Sequence, residues 1–462
     1  MSVDRSAFPE HGRCSPAVGH RVTAAPPPDP GRSPWVARRH TQDRTSWSPR
    51  QLLEAPHRLA FFLAVVVLVA SGLWWSLVQL GRQPWGPSVP LAMSPTVTHA
   101  AVMSLGFFPV FFAGFLFTAG PKWLGVAAPN AQRLLWPLGL QCTGWLLWLA
   151  GAIWMEELAW TGLALATVGL LVMAVQFWQL VHRSPVADRL HAQLAGVACG
   201  VGAAALLGTL VMLWMTQVEW ALRLIRSGLW GCVVVTFLVV AHRMLPFFTA
   251  SAVPTIAPWR PRWVLWFLLG IAALETVATW APLLLAPEPG QGMRTPRAWM
   301  LALGLTELAA GSLVVWLALT WGLVQSFKVR LLAMLHVGFA WFGVALLLSG
   351  ASQLLGLRQG VPLLGLGALH ALTMGFLGSV LLAMVTRVSS GHSGRSLVAD
   401  HFVWGLFGLL QVATVLRIAS ALEHTTGWLT LAAATSWLVV MLLWGGRLAI
   451  WYGQPRTDGQ PG

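Results

Sequence analysis

The sequence predicts an all-α fold, a polytopic transmembrane bundle of about twelve helices. The chain has 462 residues, of which 56% are hydrophobic and 10% are charged, whereas about a quarter of a soluble protein is charged. Apolar runs of roughly twenty residues recur between positions 56 and 452, and each can cross the roughly 30 Å hydrocarbon core as a helix. The spans of a β-barrel would be about half as long and would alternate apolar and polar residues.

Breaks rich in proline, glycine or charge divide the chain into three regions. Residues 1–50 have too little apolar content to form a core, so we predict a disordered, basic, cytoplasmic tail. Residues 51–452 form the transmembrane domain, and residues 453–462 a short cytoplasmic tail. The predicted spans are 57–80, 95–118, 133–154, 158–181, 190–215, 225–247, 262–286, 298–325, 331–356, 362–386, 400–423 and 426–451.

The distribution of lysine and arginine predicts that both termini are cytoplasmic, because basic residues accumulate on that side of a membrane protein. With the N-terminus inside, 22 of the 29 basic residues fall on the cytoplasmic side and seven on the other. The seven are Arg82, Arg223, Arg226, Arg294, Arg297, Arg358 and Arg417. Membrane topology thus accounts for the net charge of +14. Lipid is a predicted partner, and nucleic acid is not.

The cysteines are interpreted as small core residues. Cys14, Cys142, Cys199 and Cys232 show no paired spacing, and three of them lie inside apolar runs. The 28 tryptophans are assigned to the membrane interface and the core.

Histidine supplies most metal and haem ligands inside a membrane, and His99 and His370 are the strongest candidates. His99 lies about five residues into the second predicted helix and His370 about nine into the tenth. Both helices run from outside to inside, so both imidazoles lie in the outer half and differ in depth by about 6 Å. They could be the axial ligands of one haem, or they could only form hydrogen bonds between helices.

The surroundings of these two histidines resemble each other. Residues 99–103 and 370–374 share the pattern H-A-x-x-M, and both lead into Gly-Phe. Small residues there allow close approach by a helix or a flat macrocycle. His57 and His336 lie near the cytoplasmic starts of the preceding helices, which suggests a weak parallel repeat of helices 1–2 and 9–10. His57, His336 and His242 are further candidate metal ligands.

Two carboxylates lie in the middle of predicted spans, Glu275 on helix 7 and Glu307 on helix 8. Carboxylates inside a membrane usually face the protein interior and often mark a proton or ion path. A hydrogen bond with one shared proton, holding the two helices together, is the alternative.

Residues 370–395, HALTMGFLGSVLLAMVTRVSSGHSGR, resemble the signature of the NnrS family. Residues 114–125 and 243–249 carry further segments similar to that family, so the resemblance extends over helices 2 to 10. It implies a multi-pass protein of the bacterial inner membrane that contains haem and copper. It also implies a role in nitric oxide response, nitrosative stress and denitrification, with a small nitrogen-oxide ligand and an electron-transfer partner.

One segment departs from the family. Its members read H-A-H-E-M in helix 2, where this chain has Ala101 and Val102 in place of the second histidine and the acid. A haem site that needs only His99 is retained, whereas copper stays open. The C-x-x-C-H motif for covalent attachment is absent from the sequence, which favours haem b.

The layout is also similar to the catalytic subunit of haem–copper oxidases, with its low-spin haem between histidines on helices 2 and 10. The oxidase has a further histidine where this chain has Leu372, and a histidine pair on helix 7, where residues 262–286 contain none. His242 is too near the cytoplasmic end. We therefore predict no binuclear oxidase or reductase centre.

His392 lies in the predicted cytoplasmic loop after helix 10, with Arg387 and Arg395 nearby. These three residues could bind a haem propionate or another anion, or they could form a tight polar turn. Three function classes stay open for the chain. They are a haem redox protein, a proton- or ion-coupled transporter that uses Glu275 and Glu307, and a non-catalytic membrane assembly or metal-delivery factor.

Overall fold

The structure is a computed structural model that describes residues 47–285, 296–422 and 427–460. Within these ranges twelve long helices follow one another, and no β-strand occurs. They are α1 (Pro56–Gly81), α2 (Pro95–Leu116), α3 (Leu135–Trp154), α4 (Glu156–His182), α5 (Leu190–Trp214), α6 (Val218–Ala252), α7 (Arg262–Leu284), α8 (Arg297–Thr320), α9 (Arg330–Leu355), α10 (Gly367–His392), α11 (His401–Ala419) and α12 (Trp428–Tyr452). Most of the predicted tail, residues 1–46, lies outside the described residues.

Eleven of these helices are long and apolar enough to cross a membrane. The other long helix, α3, has 20 residues, of which four are tryptophans. It packs closely along α4. The predicted all-α polytopic bundle is confirmed.

Neighbouring helices pack antiparallel, which defines two ends of the bundle. At one end, Trp75 near the end of α1 stacks on His99 near the start of α2. At the other, His57 at the start of α1 lies beside His392 at the end of α10. We call the end at which α2, α6 and α10 begin the cavity end, and the other the opposite end.

Glycines spaced seven residues apart let two pairs of helices approach closely. A Cβ atom added at Gly311 of α8 would lie 2.8 Å from the Gly343 carbonyl oxygen of α9, and one added at Gly350 would lie 2.6 Å from the Gly304 carbonyl oxygen. Gly144 makes the same kind of approach to α4, 2.5 Å from a backbone carbonyl oxygen. Small residues at such positions are typical of helix contacts in membranes.

Helix α10 differs from its predicted span of 362–386 at both ends. It begins at Gly367 because turns fill the preceding residues, where Gly360 and Gly365 have positive φ angles of 72° and 47°. His370 therefore lies in the first turn of α10, about as deep as His99 in α2, and the predicted offset between the two disappears. At its other end α10 extends to His392, so the prediction of a loop there was wrong.

The chain after α12 folds back onto the opposite end of the bundle. The backbone N–H of Thr457 donates to the Ser393 carbonyl oxygen at 3.0 Å. Arg58 donates to the Gln454 carbonyl oxygen at 2.9 Å. The first part of the predicted C-terminal tail, as far as Thr457, is therefore tied to α1 and to the end of α10.

The cysteines that the structure describes behave as predicted. Cys142, Cys199 and Cys232 are buried and unpaired. Cys14 lies outside the described residues.

Candidate functional site

The structure brings His99 of α2 and His370 of α10 together at one cavity. Their ring centroids are 6.4 Å apart, and the ring planes are 18° from parallel. Both side chains line one cavity at the cavity end of the bundle. The two histidines are thus paired in space, although 270 positions separate them in the sequence.

Separate contacts orient the two imidazoles. The Trp75 indole stacks on the His99 ring with centroids 3.8 Å apart. The His370 Nδ1 atom lies 2.8 Å from the Leu366 carbonyl oxygen, one turn earlier in the chain. Histidines that bind metals usually donate their other ring N–H to such a carbonyl, which fixes the tautomer. The Nδ1 atom of His99 is buried without a hydrogen-bond partner among the described residues.

The cavity between the histidines has a volume of about 280 Å³. Its walls come from α1, α2, α6, α10, α11 and α12 and are mostly apolar, with aromatic and methionine side chains. Met103 and Met374, the last residues of the two H-A-x-x-M segments, both line it. The repeated pattern therefore marks two walls of one cavity.

Each of the helices α2, α6 and α10 contains a π-helical segment beside the cavity. These segments are Val102–Gly106, Leu229–Val234 and Ala371–Gly378. Two of them begin within three residues of the paired histidines, His99 and His370. π-Helical turns are rare and are frequent at functional sites, because the extra residue changes the direction in which nearby side chains point.

The spacing of the histidines suits coordination of one metal between them. Metal–imidazole bonds of about 2 Å place two opposed nitrogens about 4 Å apart, and the ring centroids are farther apart than the nitrogens. The observed centroid separation of 6.4 Å agrees with that arrangement. The apolar cavity and the unpartnered Nδ1 of His99 also suit a flat, largely apolar group, so the residues present fit a haem.

Two arginines in the cavity wall were not identified as site residues from the sequence. Arg226 of α6 and Arg417 of α11 both line the cavity. Arg417 also donates to Ser420 Oγ at 2.8 Å. Both are among the seven basic residues predicted to lie on the non-cytoplasmic side of the membrane. Their position on the side that has few basic residues was the only signal in the sequence that could have identified them.

Other predicted site residues lie elsewhere. Arg387 stacks on the Phe248 ring, with 4.0 Å between the guanidinium carbon and the ring centroid. Arg395 stacks on Trp451 at 4.4 Å. His392 packs against His57, with ring centroids 4.5 Å apart. Because α10 rises about 1.5 Å per residue, His392 and His370 are at opposite ends of the bundle.

His336 and His242 also lie apart from the paired histidines. His336 is fully buried, and its Nε2 atom lies 2.8 Å from Thr249 Oγ1 of α6. His242 Nδ1 is 3.1 Å from His191 Nε2, and His242 Nε2 is 3.2 Å from the Pro261 carbonyl oxygen. In the described part of the chain, no group of three or more His, Cys, Asp or Glu side chains is arranged to hold a metal ion.

Glu275 and Glu307 meet in a second cavity, of about 200 Å³, at the same end of the bundle. Their carboxyl groups interact directly, and their exposed fractions are only 4% and 2%. Ser349 of α9 donates to Glu307 Oε1 at 2.9 Å. The structure thus brings the two predicted intramembrane carboxylates together.

The fold and the site define a class, a polytopic helical membrane protein with paired histidines around a cavity inside the bundle. Within that class the family can be stated. The family model described as "NnrS protein" matches residues 51–456, and the chain belongs to the NnrS family. No curated protein matches the chain.

Proposed function

We propose that this protein binds one b-type haem, with His99 and His370 as its axial ligands. The observation that carries the proposal is the pair of nearly parallel imidazoles, 6.4 Å apart at their centroids, on the wall of one cavity. When bound, such a haem would supply one-electron redox chemistry, and His99 and His370 would both be taken up as its ligands. The site therefore suits electron transfer or sensing better than direct binding of a gas.

The residues around the cavity have distinct roles in this proposal. Trp75 holds the face of the His99 ring, and the Leu366 carbonyl oxygen fixes the tautomer of His370. Arg226 and Arg417 are the cations available to the haem propionates. We assign the propionates to these two arginines instead of Arg387 and Arg395, which pack on aromatic rings elsewhere.

Membership of the NnrS family supports the physiological part of the proposal. We infer that the protein works in the bacterial inner membrane in the response to nitric oxide and in handling of denitrification-linked nitrogen oxides. An electron-transfer partner would then supply or remove the electron of the haem.

An absorption spectrum of the purified protein tests the haem proposal, and metal analysis of the same sample measures copper. We expect a reducible haem spectrum in the wild type, and loss of most of the bound haem in His99→Ala and in His370→Ala. His182→Ala is the matched control, because His182 is an exposed helix-end histidine outside the cavity. Unchanged spectra in both cavity variants would exclude the two histidines as ligands.

A proton- or ion-coupled transporter is the second candidate, and the buried Glu275–Glu307 pair is the observation that favours it. Substrate uptake by reconstituted vesicles would then be lost in Glu275→Gln and kept in His99→Ala. If the haem proposal is correct, the haem spectrum is lost in the two histidine variants instead.

A further inference from the structure

The cavity that contains Glu275 and Glu307 has features of a proton-binding site. Glu275 Oε1 and Glu307 Oε2 are buried without a hydrogen-bond partner among the described residues. Two adjoining carboxylates in a medium of low dielectric repel each other strongly, so the pair is stable only when it holds at least one proton. Unpartnered oxygens on both groups leave positions where a second proton could be held.

The charges around the pair favour a proton over a metal cation. The charged side chains that line this cavity, besides the two carboxyls, are Arg223 and Arg226 of α6. The walls from α7 to α10 otherwise present neutral side chains such as Ser349 and Gln353. Two guanidinium groups repel a divalent metal ion more strongly than a proton, because the repulsion grows with the charge that is added. A carboxylate can also hold the single charge of a proton covalently, as an O–H group.

The carboxyl cavity adjoins the histidine cavity. Arg226 and Leu369 line both of them. On α10, Leu369 directly precedes His370, so a single turn of helix separates the two spaces. A charge that appears in one cavity therefore changes the electrostatic potential in the other, because the two share part of one wall.

We propose that the Glu275–Glu307 pair takes up one proton when the haem held at His99 and His370 takes up one electron. The pair starts with one shared proton and a charge of −1, and it ends neutral with a proton on each carboxyl. The electron comes from an external one-electron donor, for which reduced methyl viologen is the probe, and the donor is oxidised to its dication. The proton comes from water at the cavity end. The inference rests on the proposed haem site.

The first experiment measures the carboxyls directly in the wild-type protein. Infrared difference spectra are recorded between the oxidised and the viologen-reduced protein, in H₂O and in D₂O. We expect reduction to increase a protonated-carboxyl C=O band that shifts in D₂O. A flat difference spectrum in that region overturns the inference, and no variant has to fold for this result to be decisive.

The second experiment measures the midpoint potential of the haem against pH. Full coupling of one proton to one electron changes the reduction equilibrium tenfold per pH unit, which corresponds to 59 mV for one electron. We expect the wild-type potential to fall with rising pH by an appreciable part of that value. The slope should drop at least threefold in the double variant Glu275→Gln, Glu307→Gln and stay unchanged in Glu157→Gln, an exposed carboxylate at the start of α4.

The outcomes separate this inference from the haem proposal. If the protein binds haem but the midpoint potential of that haem does not change with pH, the proton coupling is wrong and the haem proposal stands. A slope that survives in the double variant assigns the proton to another group, and this also overturns the inference. If the purified protein contains no haem, both the proposed function and the proton coupling that rests on it are wrong.

Discussion

At the scale of single residues, the paired histidines are held in different ways. His370 is oriented by its own helix, through the 2.8 Å contact between its Nδ1 atom and the Leu366 carbonyl oxygen. His99 has no such contact, and the stacked Trp75 indole is the main group that fixes its ring plane. Orientation of His99 is therefore more sensitive to a neighbouring side chain than orientation of His370.

Replacement of Trp75 is expected to loosen the proposed haem without removing either proposed ligand. An aromatic pair contributes about 0.5–1.5 kcal/mol beyond its buried area, so Trp75→Leu should speed haem dissociation by roughly two- to thirteenfold. Trp75→Phe, which keeps an aromatic face, should stay close to the wild type. Transfer of haem to an excess of apomyoglobin measures the rate. Equal rates in Trp75→Leu and the wild type would show that stacking does not hold His99.

The histidine pair could be predicted from the sequence at this scale, and the arginines could not. His99 and His370 are histidines inside apolar runs with matching surroundings, so their residue type and spacing are informative. Arg226 and Arg417 have a competing explanation, because basic residues near the ends of spans also serve membrane topology. Only the folded chain brings them to the cavity wall.

At the scale of helices, the start of α10 decides the geometry of the site. The apolar run predicts a helix from residue 362, but Pro362 lies between two turns, at residues 356–360 and 363–366. The Leu363 N–H donates to the Ser352 carbonyl oxygen of α9 at 3.1 Å, and the Leu364 N–H donates to Ser352 Oγ at 2.8 Å. These contacts between α9 and the turn fix where α10 begins and set His370 level with His99.

Packing between α8 and α9 gives a prediction about stability. Gly311→Val should destabilise the protein by about 1–3 kcal/mol, because the added side chain overpacks a contact with the α9 backbone. Gly270→Val in α7 is the matched control, since a Cβ there meets no atom within 4 Å. Thermal unfolding in detergent measures both variants. A similar Tm for the two would indicate that α8 can move away from α9 at little cost.

At the scale of the whole molecule, the opposite end is closed by contacts among the N-terminal part of α1, the end of α10 and the C-terminal segment. Arg58 is 2% exposed and donates to the Gln454 carbonyl oxygen. Ser389 Oγ and the Tyr452 hydroxyl are 2.7 Å apart. Asp458, which pairs with Arg456, has its pKa lowered to about 2 by that hydrogen bond, so the ion pair persists at neutral pH. The histidine cavity and the carboxyl cavity both lie at the other end of the bundle.

The orientation of this bundle is a separate prediction from the charge distribution. With 22 of 29 basic residues on the side of both termini, the opposite end should face the cytoplasm and the cavity end should face outward. Fusions at the C-terminus test this in a bacterial host. We expect a fluorescent-protein fusion to fluoresce and an alkaline phosphatase fusion to be inactive. Phosphatase activity would show that the orientation is the reverse of the predicted one, with both cavities on the cytoplasmic side.

The sequence by itself determined the class of fold, and it predicted His99 and His370 as candidate ligands. Runs of apolar residues have few alternatives to membrane helices, because backbone groups in lipid must satisfy their hydrogen bonds within the segment. Tertiary structure decided the level start of α10, the arginines of the cavity wall and the adjacency of the two cavities. The physical reason is that these features depend on contacts between distant segments, such as Ser352 with the turn before α10. Such contacts leave no periodic pattern in one segment of sequence.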